Sequence, residues 1–149
     1  MQRRNRLMML AGALMIAGLL LAACGQTSSA TAGKVAPAKV EKIEGTELNR
    51  VVLTEKAAQR LDIQTAPIRE EQIKGAQRKV IPYAAVVYDL KGKTWAYTNP
   101  EPLTFVRQAV TVDYIEGDNV VLMDGPPAGT AIVTVGVPEL YGADTGIGK

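Results

Sequence analysis

From Lys79 onward, apolar residues, many β-branched or aromatic, come in short runs separated by turn residues, and this pattern predicts strands. Val80-Ile81, Ala85-Val86-Val87-Tyr88 and Thr94-Trp95-Ala96-Tyr97-Thr98 are the first such runs. Asp89-Leu90-Lys91-Gly92-Lys93 lies between the last two and predicts a hairpin turn. Asn99-Pro100-Glu101-Pro102 breaks the pattern, because proline removes a ladder donor. Phe105 to Ile115 then reads as one long alternating strand, ended by Glu116-Gly117-Asp118-Asn119. Val120-Val121-Leu122-Met123 pairs back on it in the simplest arrangement. After the turn residues 124–129, Ala131-Ile132-Val133-Thr134-Val135 is the last clear strand. The tail, 142–149, carries three glycines and is expected to be loose.

Upstream the pattern is mixed. Val51-Val52-Leu53 predicts a short strand. Thr54 is a good N-cap for a brief helix over 55–61, with Glu55 favourable in its first turn and Ala57 and Ala58 favouring the helix. Ile63-Gln64-Thr65 alternates again, and Pro67 marks an edge or an end. Many short strands with regular turns predict a mostly β fold, a small antiparallel β-barrel or sandwich with one short helix. About 100 residues are enough for such a domain to hold itself together, though not by a wide margin.

The first residues have a different pattern. Met1-Gln2-Arg3-Arg4-Asn5-Arg6 is basic, and an apolar run follows from Leu7 to Ala23, ending in Leu21-Ala22-Ala23-Cys24-Gly25. A basic stretch before an apolar one is the layout of an export signal. Small residues before Cys24 admit a peptidase, and the thiol can take a lipid. The stretch resembles the lipobox of bacterial lipoproteins, which implies cleavage before Cys24 and its acylation, for instance with palmitate. Two other readings stand beside it. A 17-residue run is at the short edge of what spans a bilayer, and an ordinary signal peptide would leave Cys24 incidental. Lipidation is the reading preferred here, because Cys24 is the sole cysteine and sits at the cleavage position. The expected organisation is a lipoprotein signal peptide over 1–23, a lipid-anchored flexible linker over 24–47 and a β-domain over 48–149. Within 26–39 no apolar face recurs, and 39–47 has mixed charge and no clear assignment.

Charge and chemistry narrow the function. The chain holds 17 Lys+Arg against 15 Asp+Glu; without Arg3, Arg4 and Arg6 the balance is 14 against 15. That argues against a nucleic-acid partner. Histidine is absent, which removes the commonest general base and metal ligand. With one cysteine and no histidine, zinc sites of Cys and His and nucleophiles paired with histidine are excluded. Asp113, Glu116, Asp118 and Asp124 could in principle do acid–base work or hold calcium, but their spacing matches no calcium loop, and solvated turn carboxylates are the simpler account. Lys91-Gly92-Lys93-Thr94 ends like a phosphate loop but lacks the earlier glycine and leads into a strand. Tyr88, Trp95 and Tyr97 could form an aromatic platform, although such residues more often pack in a core. No catalytic residue, cofactor or metal site is expected, and the chain is not read as an enzyme.

The order of several motifs carries a resemblance. Ile81-Pro82-Tyr83-Ala84-Ala85-Val86-Val87-Tyr88-Asp89 precedes Gly92-Lys93-Thr94-Trp95-Ala96-Tyr97. Val106-Arg107, Val110, Val112 and Ile115-Glu116-Gly117-Asp118 follow, then Gly125-Pro126-Pro127-Ala128-Gly129-Thr130 and Val133-Thr134-Val135-Gly136. This order resembles the C-terminal, membrane-proximal β-domain of periplasmic adaptor subunits (membrane fusion proteins) of resistance–nodulation–division efflux pumps. Val52-Leu53-Thr54, Ala57 and 61–67 resemble the stretch that precedes the β-barrel part of the same proteins. Together these cover roughly Val51 to Gly148. Full adaptors also carry a helical hairpin and a lipoyl-like domain; here only about 69–79 joins the two matching stretches. The resemblance implies a protein-interaction module outside the cytoplasm, with an efflux transporter or adaptor subunits as partners, a place in transmembrane transport and no catalytic residues. The alternative is a free-standing lipoprotein that binds a small ligand or metal ion, with Trp95, Tyr97 or Phe105 lining its pocket.

Overall fold

The computed structural model describes residues 36–147. Every strand pairing among them is antiparallel. The elements in chain order are β1 (Ala38–Lys42), β2 (Asn49–Leu53), α1 (Glu55–Arg60), β3 (Gln64–Pro67), β4 (Arg69–Ile73), β5 (Ala76–Pro82), β6 (Val86–Tyr88), β7 (Thr94–Glu101), β8 (Thr104–Ala109), β9 (Thr111–Glu116), β10 (Asn119–Asp124), β11 (Ala131–Val135) and α2 (Val137–Thr145). A 3-10 turn at Tyr83–Ala85 precedes β6. Seven strands form one sheet in the order β1-β2-β8-β7-β11-β3, with β6 beside β7. The other four form a second sheet, β4-β5-β10-β9, and neither path closes into a barrel. The molecule is mostly β, as the turn and strand pattern predicts.

The large sheet is buried on both faces, and alternation along its strands assigns each side chain to one of them. Tyr97 of β7 and Val133 of β11 join Val51, Leu53 and Phe105 in a core closed by Ala57 of α1 and by Val137 and Leu140 of α2. Their neighbours Ala96 and Ile132 point the other way, into a second core with Ile81, Val120 and Leu122 of the small sheet. Helices therefore cover one face and the second sheet covers the other.

Several sequence expectations hold in detail. Thr54 caps α1, its side chain accepting from the Ala57 N–H at 3.2 Å. β3 is an edge strand ending at Pro67 and paired with β11. The β6–β7 hairpin turns at Asp89–Lys93, where Asp89 Oδ1 accepts from the N–H groups of Lys91 and Lys93 at 2.8 and 2.9 Å. β10 returns along β9.

Other expectations need correction. Residues 38–42, read within the linker, form β1, an edge strand in register with β2 from Ala38↔Leu53 to Lys42↔Asn49. Mixed charge hid it, because an edge strand exposes most of its side chains. The long strand over 105–115 is two strands in different sheets, β8 and β9. Val110 between them is buried, its N–H donating to Thr94 O and its carbonyl accepting from Thr94 Oγ1 at 2.6 Å. The buried set changes phase there, from Phe105 to Val110, which is how one chain serves two sheets. β7 runs through Asn99-Pro100 with a register shift after Thr98, and Asn99 Nδ2 bridges the irregular stretch by donating to the carbonyls of Glu101 and Thr104. The connection 69–79 is itself a two-residue hairpin: Lys74 and Gly75 both have positive φ, which favours a right-twisted pair of strands.

The largest correction concerns the tail. Residues 137–145 form α2, which follows Gly136 (φ 88°) and has proline in its first turn. Val137, Leu140, Tyr141 and Asp144 lie on one helix face, since residues three and four apart are neighbours. Three of them are buried and Tyr141 is half-buried, while Pro138 and Glu139 are exposed. Among the described residues no helix is long and apolar enough to cross a membrane.

Gly136 tests this junction. A β-carbon there would strain the positive φ and collide with Ile63 Cδ1, whereas one at Gly75 (φ 82°) would meet open space. Chemical denaturation of Gly75→Ala is expected to show a loss of about 1 kcal/mol from conformation alone. Gly136→Ala is expected to lose about 1–2 kcal/mol, somewhat more than Gly75→Ala, because the end of the Ile63 side chain must also move aside.

Candidate functional site

Where α2 lies on the large sheet, four polar side chains meet in an otherwise apolar core. Asn49 begins β2 two residues before Val51 and so shares its face. Tyr97 and Arg107 are directly paired across β7 and β8. Asp144 comes from the last turn of α2 and its side chain has no solvent exposure. The Tyr97 hydroxyl donates to Asp144 Oδ2 at 2.7 Å. Asn49 Nδ2 donates to Asp144 Oδ1 at 2.9 Å and to the Asp144 carbonyl at 3.1 Å, which also satisfies a carbonyl of the helix end. Arg107 Nε sits 3.4 Å from Oδ2. Burial pushes the Tyr97 phenol well above its ordinary value, the hydrogen bond to Asp144 and its charge push it further, and Arg107 opposes them.

Arg107 connects this buried cluster to the surface. Its guanidinium lies over the Trp95 ring at 4.7 Å and near the Tyr141 ring at 5.7 Å. Its side chain is 13% exposed, on the floor of a cleft of about 390 Å³ also lined by Trp95, Tyr141, Leu48 and the β6–β7 turn. Trp95 is held in turn by Asp89, whose Oδ2 accepts the indole N–H at 3.0 Å. The Asp89 carboxyl lies below its usual value. Desolvation raises it, but the hydrogen bonds from Trp95 and from the Lys93 and Lys91 backbone, with the Lys93 charge, together outweigh that.

The other residues singled out in the sequence are dispersed. Tyr97 and Phe105 are core residues and do not line this cleft, and Tyr88 is 48% exposed. Of the aromatic set only Trp95 faces the cleft. Asp113 is 3.7 Å from Arg78, and Asp124 accepts from the Gly125 N–H beside it. Among the described residues no three His, Cys, Asp or Glu side chains converge as a metal site would require. The phosphate-loop-like residues 91–94 are the β6–β7 turn and the start of β7. Cys24 lies outside the described residues. Asn49, Arg107 and Asp144 were given no role by the sequence reading. The signal that marks Asp144 is the 137/140/141/144 spacing behind Gly136-Val137-Pro138.

Two measurements follow. Asp144→Ala leaves Arg107 without its buried counter-charge and is expected to cost about 3–5 kcal/mol in urea unfolding. The fold favours the neutral Tyr97 phenol, so its contribution is whole below the unfolded value of about 10 and is lost as pH rises above it. In a spectrophotometric titration, Tyr97 is expected to ionise only with alkaline unfolding, and Tyr97→Phe to remove that late step.

No family model and no curated protein matches the chain. Among solved structures, the NMR structure of a 180-residue piece of SilB from Cupriavidus metallidurans CH34, spanning its N-terminal metal-binding site and membrane proximal domain, is similar at 21% identity and TM-score 0.43. The match covers 52% of this chain and 42% of the SilB piece, less than half of that piece's length.

Proposed function

We propose that the chain is an extracytoplasmic protein-interaction module, held to a membrane by a lipid on Cys24 and related to the periplasmic adaptor subunits of efflux pumps. The observation that carries this reading is the placement of the resembling segments. Residues 51–67 supply β2 and β3 to the large sheet, where β2 pairs with β8 and β3 with β11 from residues 80–136, and the β4–β5 hairpin joins the two stretches. A full adaptor would insert its helical hairpin and lipoyl-like domain at that connection. In this reading the module contacts a transporter or an adaptor near the membrane.

The exposed surface fits such a role in part. Leu90, at the tip of the β6–β7 hairpin, is 92% exposed and lies beside Lys91 and Lys93, so an apolar side chain is offered to a partner. The Gly125-Pro126 turn offers less. Pro126 is buried, and Lys79 Nζ donates to the Gly125 carbonyl at 2.6 Å. The cleft beside Trp95 favours the second reading, a free-standing lipoprotein that captures a ligand.

Cross-linking in intact cells, followed by purification from mildly solubilised membranes and mass spectrometry, separates the two. The native chain is expected to recover an exporter and Cys24→Ala to lose both the exporter and the membrane. Membrane attachment through Cys24 with no cross-linked transporter or adaptor would favour the free-standing reading.

A further inference from the structure

Arg107 has more donors than the fold gives it acceptors, and we propose that its outer edge binds the carboxylate of a small organic acid in the cleft beside Trp95. This goes beyond the adaptor reading and does not rest on it. A guanidinium carries five N–H donors and no acceptor. Here Nε is buried without a hydrogen-bond partner. The Asp144 Oδ2 with which it forms an ion pair is 3.4 Å away and already takes the short bond from Tyr97. Buried donors left in this way demand an acceptor from water or a ligand.

Geometry then selects the acceptor. The two Nη atoms make no hydrogen bond among the described residues and, unlike Nε, are not buried, so they are the donors that Arg107 offers to the cleft it lines. Trp95 and Tyr141 restrict the plane of the guanidinium. A fork of two parallel N–H bonds held in one plane matches the two oxygens of a carboxylate. Lys91 and Lys93 line the same cleft and add positive charge. Asp89 opposes them weakly, because its oxygens already take three hydrogen bonds from within the turn and from Trp95.

The walls select what carries the carboxylate. Leu48 and Leu90 give the cleft apolar sides, and Glu47 stands at its rim. An apolar body with one negative end fits those walls better than a hydrated dianion such as phosphate, which Glu47 would repel. A volume of about 390 Å³ suits a small molecule.

Trp95 is the single tryptophan, so its fluorescence reports on the cleft directly. The full chain would be titrated with cyclohexanecarboxylate, with cyclohexanecarboxamide as the uncharged analogue and with inorganic phosphate. A saturable change with the carboxylate alone is expected. Arg107→Lys keeps the charge but removes the fork, and is expected to weaken binding about tenfold or more. The double substitution Lys91→Ala and Lys93→Ala spares the backbone bonds of the turn and is expected to weaken binding about threefold. Circular dichroism would establish that each variant is folded; if Arg107→Lys is not, the double variant decides. No saturable response to the carboxylate, an equal response to the amide, tighter binding of phosphate, or native affinity in the folded variants would overturn the proposal.

Discussion

The attachment of α2 to the large sheet rests on one buried carboxylate. Asp144 takes hydrogen bonds from Tyr97 and Asn49 and faces Arg107, so three strands are tied to one helical turn through two oxygen atoms. A charged group in such a place is tolerated only when its lone pairs are filled. That requirement fixes the helix in rotation and along its axis. Val137 and Leu140 add apolar packing in the core with Val51 and Val133, which is less directional than these hydrogen bonds.

The same constraint explains why the large sheet has two dissimilar faces. Toward the small sheet the core is aliphatic, with Ile81, Val120, Leu122 and Ile132. Toward the helices it combines aliphatic residues with Tyr97 and the Asp144 cluster. Val110 lets one run of chain serve both sheets by shifting the phase of alternation. Thr94 caps the bend from the neighbouring strand, so its backbone polar groups are not left unpaired.

Arg107 belongs to both the core and the surface. Its inner edge balances Asp144 and its faces lie against Trp95 and Tyr141, while its outer edge meets solvent. A side chain fixed by the fold in this way is preorganised, and a ligand meeting it loses little entropy in ordering the site. Asp89 extends the order outward by orienting Trp95 from the β6–β7 turn. The hairpin tip, the cleft and the buried cluster are thus one continuous structure.

The sequence by itself determined the class of fold, most of the strands, the capped helix at Thr54 and the hairpin at Asp89–Lys93. These depend on local alternation, capping and turn chemistry, which a few neighbouring residues express. It also excluded histidine-based chemistry outright. It left β1 and α2 unread, since an edge strand shows little alternation and the glycines of the tail masked the helical spacing of Val137, Leu140, Tyr141 and Asp144. The buried cluster and the cleft were decided only by tertiary structure. Asn49, Tyr97, Arg107 and Asp144 come from distant parts of the chain, and no local pattern states that they share one side of one sheet. Folding brings them together because each strand's alternation turns them inward and one helix end supplies the carboxylate that they face.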